Sequence, residues 1–287
     1  DARGRSPVIT GRFAPSPTGD LHLGNLRTAL AAWMSAKREG DDGRFLVRFE
    51  DLDRVTSSRE FAAAQLRDLA TIGIVPDDEP VFQSDRFGLY DEAIDSLTAR
   101  GLTYPCFCTR REIAEAAAAP HGVVGRYPGT CRGLSTAERA ARAEERPGAL
   151  RLDAAAAGFD QIEFEDVLHG RVSGTVDDVV LRRNDSVPSY NVAVVVDDAA
   201  QGITEVVRGD DLLAVTATQV ALQQLLGLAT PVYMHVPLVL GDDGERLAKR
   251  HGAVTLADFA ATGVGPDEVR ARLLAEIAAF APFLTAD

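Results

Sequence analysis

Arg12-Phe13-Ala14-Pro15-Ser16-Pro17-Thr18-Gly19-Asp20-Leu21-His22-Leu23-Gly24-Asn25 reads as the end of a buried strand, a stiff two-proline loop and the start of a helix. Val8 to Ala14 supplies the strand, and Pro15 to Gly19 ends it. Beyond the loop, Leu23, Leu26, Leu30 and Trp33 recur at helical spacing with alanines between them. A strand, loop and helix in this order point helix N–H groups and the positive end of the dipole at whatever the loop holds, which suits phosphate. Gly24 carries no side chain to block a nucleotide base or ribose. A histidine and a glycine two apart would equally mark a tight turn; the length of the cluster gives it weight.

The alternation continues outward from this stretch. Phe45 to Phe49 is a second strand leading into Glu50-Asp51-Leu52-Asp53. Phe61 to Ile72 and Tyr90 to Leu102 have amphipathic helical spacing, the latter closed by Gly101. The rhythm breaks between Tyr104 and Pro188, a stretch that holds all three cysteines, two alanine tracts and strand-like pieces such as Gly170 to Val176. Asn191 to Val196 and His235 to Leu240 are expected as buried strands, with a helix at Thr216 to Leu226 between them. Leu256 to Phe283 is helical, broken at Gly263 to Pro266. The expected fold is α/β: a doubly wound parallel, Rossmann-type sheet in halves 1–103 and 189–241, an inserted α+β subdomain at 104–188, and a loop with a short helical region at 242–287.

Composition narrows the function. Thirty basic against 43 acidic residues leave a net charge of −13, unlike a non-specific nucleic-acid binder. Affinity for phosphate depends on the local patch, so an RNA partner is disfavoured rather than excluded. No apolar run is long enough to span a membrane, and Asp1 to Thr10 has no signal-peptide core. Three cysteines make no disulfide framework, which fits a reducing cytoplasm. Cys106, Cys108 and Cys131 fall within about 25 residues, a spacing that suggests a structural zinc site with His121 as the ordinary fourth ligand, or else three small buried hydrophobes.

A second charged cluster, Gly244-Glu245-Arg246-Leu247-Ala248-Lys249-Arg250-His251-Gly252, follows the last strand. Alone it would be a solvated cationic loop; beside a nucleotide it would clamp phosphates as pyrophosphate leaves. Taken with the opening cluster, it resembles the class I glutamyl- and glutaminyl-tRNA synthetases, in which R-x-A-P-S-P-[ST]-G precedes H-x-G-[HN] and a K-M-S-K-S-type loop lies near the end of the nucleotide-binding fold. Val47 to Asp53, Tyr190 to Asp198 and Gln201 to Asp211 agree as well, so the resemblance runs from about Gly11 to Val254. The loop departs from the pattern, with Arg246 for the first Lys and Ala248 for Ser.

The resemblance implies roles that the chemistry of glutamate supports, since two carboxylates and one ammonium need cations and an anion. Arg12 and Arg208 would read carboxylates through their forked guanidinium groups, Glu50 would hold the ammonium, and Tyr190, Phe13, Ala14, Pro15 and Ser16 would line the same pocket. His22, Gly24, Asn25 and Lys249 would bind ATP, with Mg²⁺, and His22 and Lys249 would assist catalysis. Among these families, C-x-C…Y-x₃-C resembles the glutamyl-Q-tRNA(Asp) synthetases and implies Tyr127 as the fourth zinc ligand. About 40 residues follow Lys249, too few for an anticodon-reading domain, which matches that truncated group. A cytoplasmic monomer is then expected to activate L-glutamate with ATP and pass it to queuosine in the anticodon stem-loop of tRNA(Asp). The alternatives are a catalytic fragment of an ordinary glutamyl-tRNA synthetase, an adenylyltransferase acting on a small molecule, or a non-catalytic tRNA-binding paralogue.

Overall fold

The computed structural model describes residues 8–38, 40, 42–117, 126–239 and 254–285. The first half of the sheet is built from β1 (Thr10–Phe13), α1 (Leu23–Lys37), β2 (Arg44–Phe49), α2 (Arg59–Thr71), β3 (Val81–Phe82) and α3 (Phe87–Ala99). Gly101, at φ +71°, ends the last of these helices in the left-handed conformation that glycine adopts without strain. Next come β4 (Thr103–Cys106), α4 (Arg110–Ala117), α5 (Thr136–Glu145), β5 (Ala149–Leu152), β6 (Gln161–Asp166), β7 (Gly170–Thr175) and β8 (Val180–Arg182). The chain continues through α6 (Tyr190–Ala200), β9 (Glu205–Gly209), α7 (Leu213–Leu226), β10 (Val232–Val236), α8 (Leu256–Ala261) and α9 (Pro266–Phe280).

The large sheet has the order β3-β2-β1-β9-β10-β6-β7. Every neighbouring pair is parallel except β6 and β7, which form an antiparallel hairpin. Chain order reverses beside β1, which lies between β2 and β9; in open α/β sheets this switch point is where ligands bind. Along β2, Phe45, Val47 and Phe49 enter a core with α1, α2 and α9, whereas Leu46 enters the opposite core with α3, α6 and α7. The period of two therefore splits one apolar strand between two faces, each covered by helices.

Three features differ from the sequence expectation. Asn191 to Val196 is not a strand but the interior of α6. Val192, Ala193, Val194 and Val195 are all at most 2% exposed. A helix buried on every side shows the same unbroken apolar run as a buried strand, so periodicity could not separate them. The last parallel strand is Val232–Val236, ahead of the expected His235 to Leu240. Glu205–Gly209 is a further strand with no period-two alternation to announce it, because both faces are buried.

Residues 104–188 fall into two parts. β4, β5 and β8 form a separate antiparallel sheet, whereas the hairpin of β6 and β7 extends the large one. The Val167 amide donates to Tyr233 O and the His235 amide to Asp166 Oδ2, joining the hairpin to β10.

Candidate active site

A cavity of about 540 Å³ opens at the switch point. Its lining includes Arg12, Phe13, Ala14, Pro15, Ser16, His22, Gly24, Asn25, Glu50, Tyr190 and Arg208. Segments distant in sequence thus bring together every pocket residue expected from the sequence except Lys249, which lies outside the described residues, as do Arg246 to Arg250 and His121.

Three strands each send an arginine to the face covered by α6, whose Asp197 and Asp198 are both buried. Arg12 Nε donates to Asp198 Oδ1 at 3.0 Å, and Arg48 Nη1 donates to the same oxygen at 2.7 Å. Burial pushes the Asp198 pKa up, but the two guanidinium groups outweigh it and hold it below the ordinary value. Asp197 accepts from Arg86 Nε at 2.6 Å, Tyr90 Oη at 2.7 Å and Gln83 Nε2 at 3.1 Å. The third arginine, Arg208, has no carboxylate bonded to it among the described residues: Nε donates to His235 Nε2 at 3.0 Å and Nη2 to Thr216 Oγ1 at 2.8 Å. Asp197, Asp198 and Arg48 had no role assigned from sequence. The signal was present, since two acids end a wholly apolar run and must meet cations if they are buried with it.

Glu50 stands differently from the paired acids. Among the described residues its nearest cation is Arg48, at 3.8 Å, and burial raises its pKa to about 7 despite the opposing pull of Arg48 and Arg12. An ionised Glu50 is thus short of positive charge, and an ammonium ion would supply it. Tyr190 is also raised, first by burial and then by the Glu50 charge.

His22 is the N-cap of α1. Its Nδ1 accepts from the Asn25 amide at 3.3 Å, and its own amide donates to Asn25 Oδ1 at 3.2 Å. The H-x-G-N spacing is therefore a reciprocal capping box. A Cβ on Gly24 would lie 3.1 Å from the His22 ring, so the space that glycine clears is taken by the imidazole. The Leu23 amide is also committed, to Val254 O at 3.0 Å. With the Leu23 and Asn25 amides spent, phosphate at this helix end would rely more on the dipole and on cations from elsewhere.

A second cluster lies in the small sheet and the segment before α5. Cys106, Cys108 and Cys131 place their Sγ atoms within 4.8 Å of one another and could hold a metal ion. The Tyr127 hydroxyl lies 3.2 Å from Cys106 Sγ and 3.6 Å from Cys108 Sγ, and it accepts from the Cys131 amide at 3.0 Å. Arg151 stacks over the Tyr127 ring at 3.8 Å. Three thiols and a phenol converging on one point is a donor set suited to zinc.

The model of the class I tRNA synthetase (E and Q) catalytic domain matches residues 8–275. The chain belongs to that family. A glutamyl-Q tRNA(Asp) synthetase of Nocardia farcinica is 60% identical over 272 residues, covering 94% of this chain and 85% of that protein. A glutamate–tRNA ligase of Oleidesulfovibrio alaskensis is 42% identical, and the chain spans 55% of its length. The crystal structure of the glutamate-tRNA synthetase from Elizabethkingia anophelis superposes with a TM-score of 0.73 at 31% identity, covering 86% of this chain and 53% of that one. Membership makes the chain a ligase of the synthetase class, with glutamate, ATP and tRNA as the family's partners. Among the described residues, no helix is long and apolar enough to cross a membrane.

Proposed function

We propose that the chain, a cytoplasmic monomer, joins L-glutamate to ATP as glutamyl-adenylate and transfers the glutamyl group to the queuosine base of tRNA(Asp). The observation that carries the first step is the pairing of Arg12 and Arg208 with the undercompensated Glu50 in one cavity beside the start of α1. That arrangement complements two carboxylates and one ammonium. A glutamate carboxylate would attack the α-phosphorus as pyrophosphate leaves, with the protein supplying position and charge neutralisation. His22 at the helix start and Lys249 would face the phosphates, and ATP would arrive with Mg²⁺. Relatives named glutamyl-Q tRNA(Asp) synthetase, at 60% and 49% identity, support queuosine as the acceptor. The glutamate–tRNA ligases at 42% and 40% identity favour a second reading, esterification of a tRNA 3′ end.

Glutamate-dependent exchange of labelled pyrophosphate into ATP tests the first step. Exchange should proceed without any tRNA. A strict requirement for tRNA(Glu) would instead mark an ordinary glutamyl-tRNA synthetase.

The Glu50 pKa sets a pH dependence. With its folded value raised above the ordinary carboxylate range to about 7, its favourable contribution to stability is full in acid and is lost as pH rises through about 7. Binding an ammonium reverses the preference, because only the ionised form attracts it. The glutamate KM should therefore fall about tenfold from about pH 6 to about pH 8 and flatten above. Glu50→Gln should abolish that slope; a wild-type KM independent of pH would remove the ammonium from Glu50.

For the thiol cluster the proposed occupant is one structural zinc ion, held by Cys106, Cys108, Cys131 and the Tyr127 hydroxyl. Such an ion would close a tetrahedral site and tie the segment before α5 to β4 without taking part in the reaction. Elemental analysis of gently purified protein should find one zinc per chain. Cys106→Ser should lower that content while adenylation persists. Protein without metal would favour three buried thiols as the meaning of the cluster.

A further inference from the structure

Arg208 is 5% exposed and is held by groups that play no part in the function proposed above. His235, on the neighbouring strand and in register with it, is 0% exposed. A guanidinium can only donate, so the contact from Arg208 Nε to His235 Nε2 at 3.0 Å requires a lone pair on that nitrogen. Thr216 Oγ1 lies 3.1 Å from the same nitrogen, but its hydrogen is directed to Leu212 O at 2.9 Å. The imidazole proton must then sit on Nδ1, which is 2.6 Å from Asp166 Oδ2. Asp166 is saturated as an acceptor: Oδ2 also takes the His235 amide, and Oδ1 takes the amides of Leu168 and His169, each at 3.0 Å. Burial acts to raise the Asp166 pKa, yet these donors hold it below the ordinary value, while burial and then the Arg208 charge keep His235 low. Of the Arg208 nitrogens, Nη1 alone is left without a partner among the described residues.

We infer that Asp166 and His235 are positioning residues for Arg208. Asp166, from the hairpin of β6 and β7, fixes the tautomer of His235; His235 and Thr216 fix the guanidinium plane, leaving Nη1 for a substrate carboxylate. The inference rests on Arg208 meeting that carboxylate, as proposed above. It adds that residues 104–188 reach the glutamate pocket through one carboxylate and one imidazole. Orientation matters because the Nη1 hydrogens lie in the guanidinium plane, so fixing that plane fixes the direction in which they meet a carboxylate oxygen.

Two measurements on the intact chain test this. In pyrophosphate exchange at saturating ATP, His235→Leu should raise the glutamate KM roughly tenfold and leave the ATP KM unchanged. His235→Gln, whose Oε1 can accept from Arg208 while its amide donates, should recover most of the loss. An unchanged glutamate KM in His235→Leu, equal KM values in the two variants, or a parallel rise in the ATP KM would each overturn the assignment. The second measurement needs no variant: ¹⁵N chemical shifts of labelled histidine in the wild-type chain should show His235 neutral and protonated on Nδ1 near neutral pH. The Nε2–H tautomer or an imidazolium ion there would also overturn it. Wild-type protein that shows no glutamate-dependent exchange would overturn the function itself, whereas normal exchange with the wrong tautomer sinks only the relay.

Discussion

Alanine in place of Arg208 should reduce glutamate-dependent pyrophosphate exchange at least about a hundredfold. The guanidinium is buried, lines the cavity and, among the described residues, is tied to no acid by a hydrogen bond, unlike Arg12 and Arg48, which share Asp198. Removing it would leave a substrate carboxylate without its charged donor, a loss on the order of 3 kcal/mol. The effect should fall on kcat/KM for glutamate, with the ATP KM nearly unchanged. Arg208→Lys should recover little, because a single ammonium nitrogen cannot take the places of the three guanidinium nitrogens that meet His235, Thr216 and the substrate. Near-normal kinetics in Arg208→Ala, with the fold verified by circular dichroism, would place glutamate elsewhere.

The acceptor prediction is close to all-or-none. Labelled glutamate should attach to tRNA(Asp) that contains queuosine and not to the same tRNA lacking it. Attachment should survive removal of the 3′ terminal adenosine, since the glutamyl ester would sit on the modified base. The anticodon loop is single-stranded, and its bases can be splayed and stacked against protein, the usual route to sequence-specific RNA reading. Transfer to queuosine-free tRNA, or loss of labelling once the 3′ terminal adenosine is removed, would assign the chain to 3′ esterification. Glutamate activation would stand under either result, because exchange is measured without an acceptor.

Much of this site was legible because its chemistry is compressed into short segments. Arg12 to Asn25 carries a strand, a loop and a capped helix start within one stretch, and the structure gathers its named residues around one cavity. Cys106, Cys108, Tyr127 and Cys131 were equally readable as a cluster, since groups close in sequence need little folding to meet. What stayed hidden depends on three-dimensional burial. The core of α6 has the composition of a strand, and only the helices packed around it decide otherwise. Asp166, His235 and Thr216 stand far apart in sequence with no motif around them, and they meet because β6 joins the sheet beside β10. His22 shows a third case. Its position was readable, but its service as a cap follows from a hydrogen bond that spacing alone does not distinguish from ligand binding.

The docking of β6 and β7 onto β10 has a consequence for how the chain comes apart. A segment inserted into a sheet can often be excised by proteases while its host survives. Here residues 161–175 supply two strands of the host, and the Val167 and His235 amides bridge the junction. Cleavage at either border of residues 104–188 would therefore leave a nicked protein whose pieces remain associated under native conditions. Amides of β6 and β10 would exchange with solvent together, as one cooperative unit, rather than in separate stages.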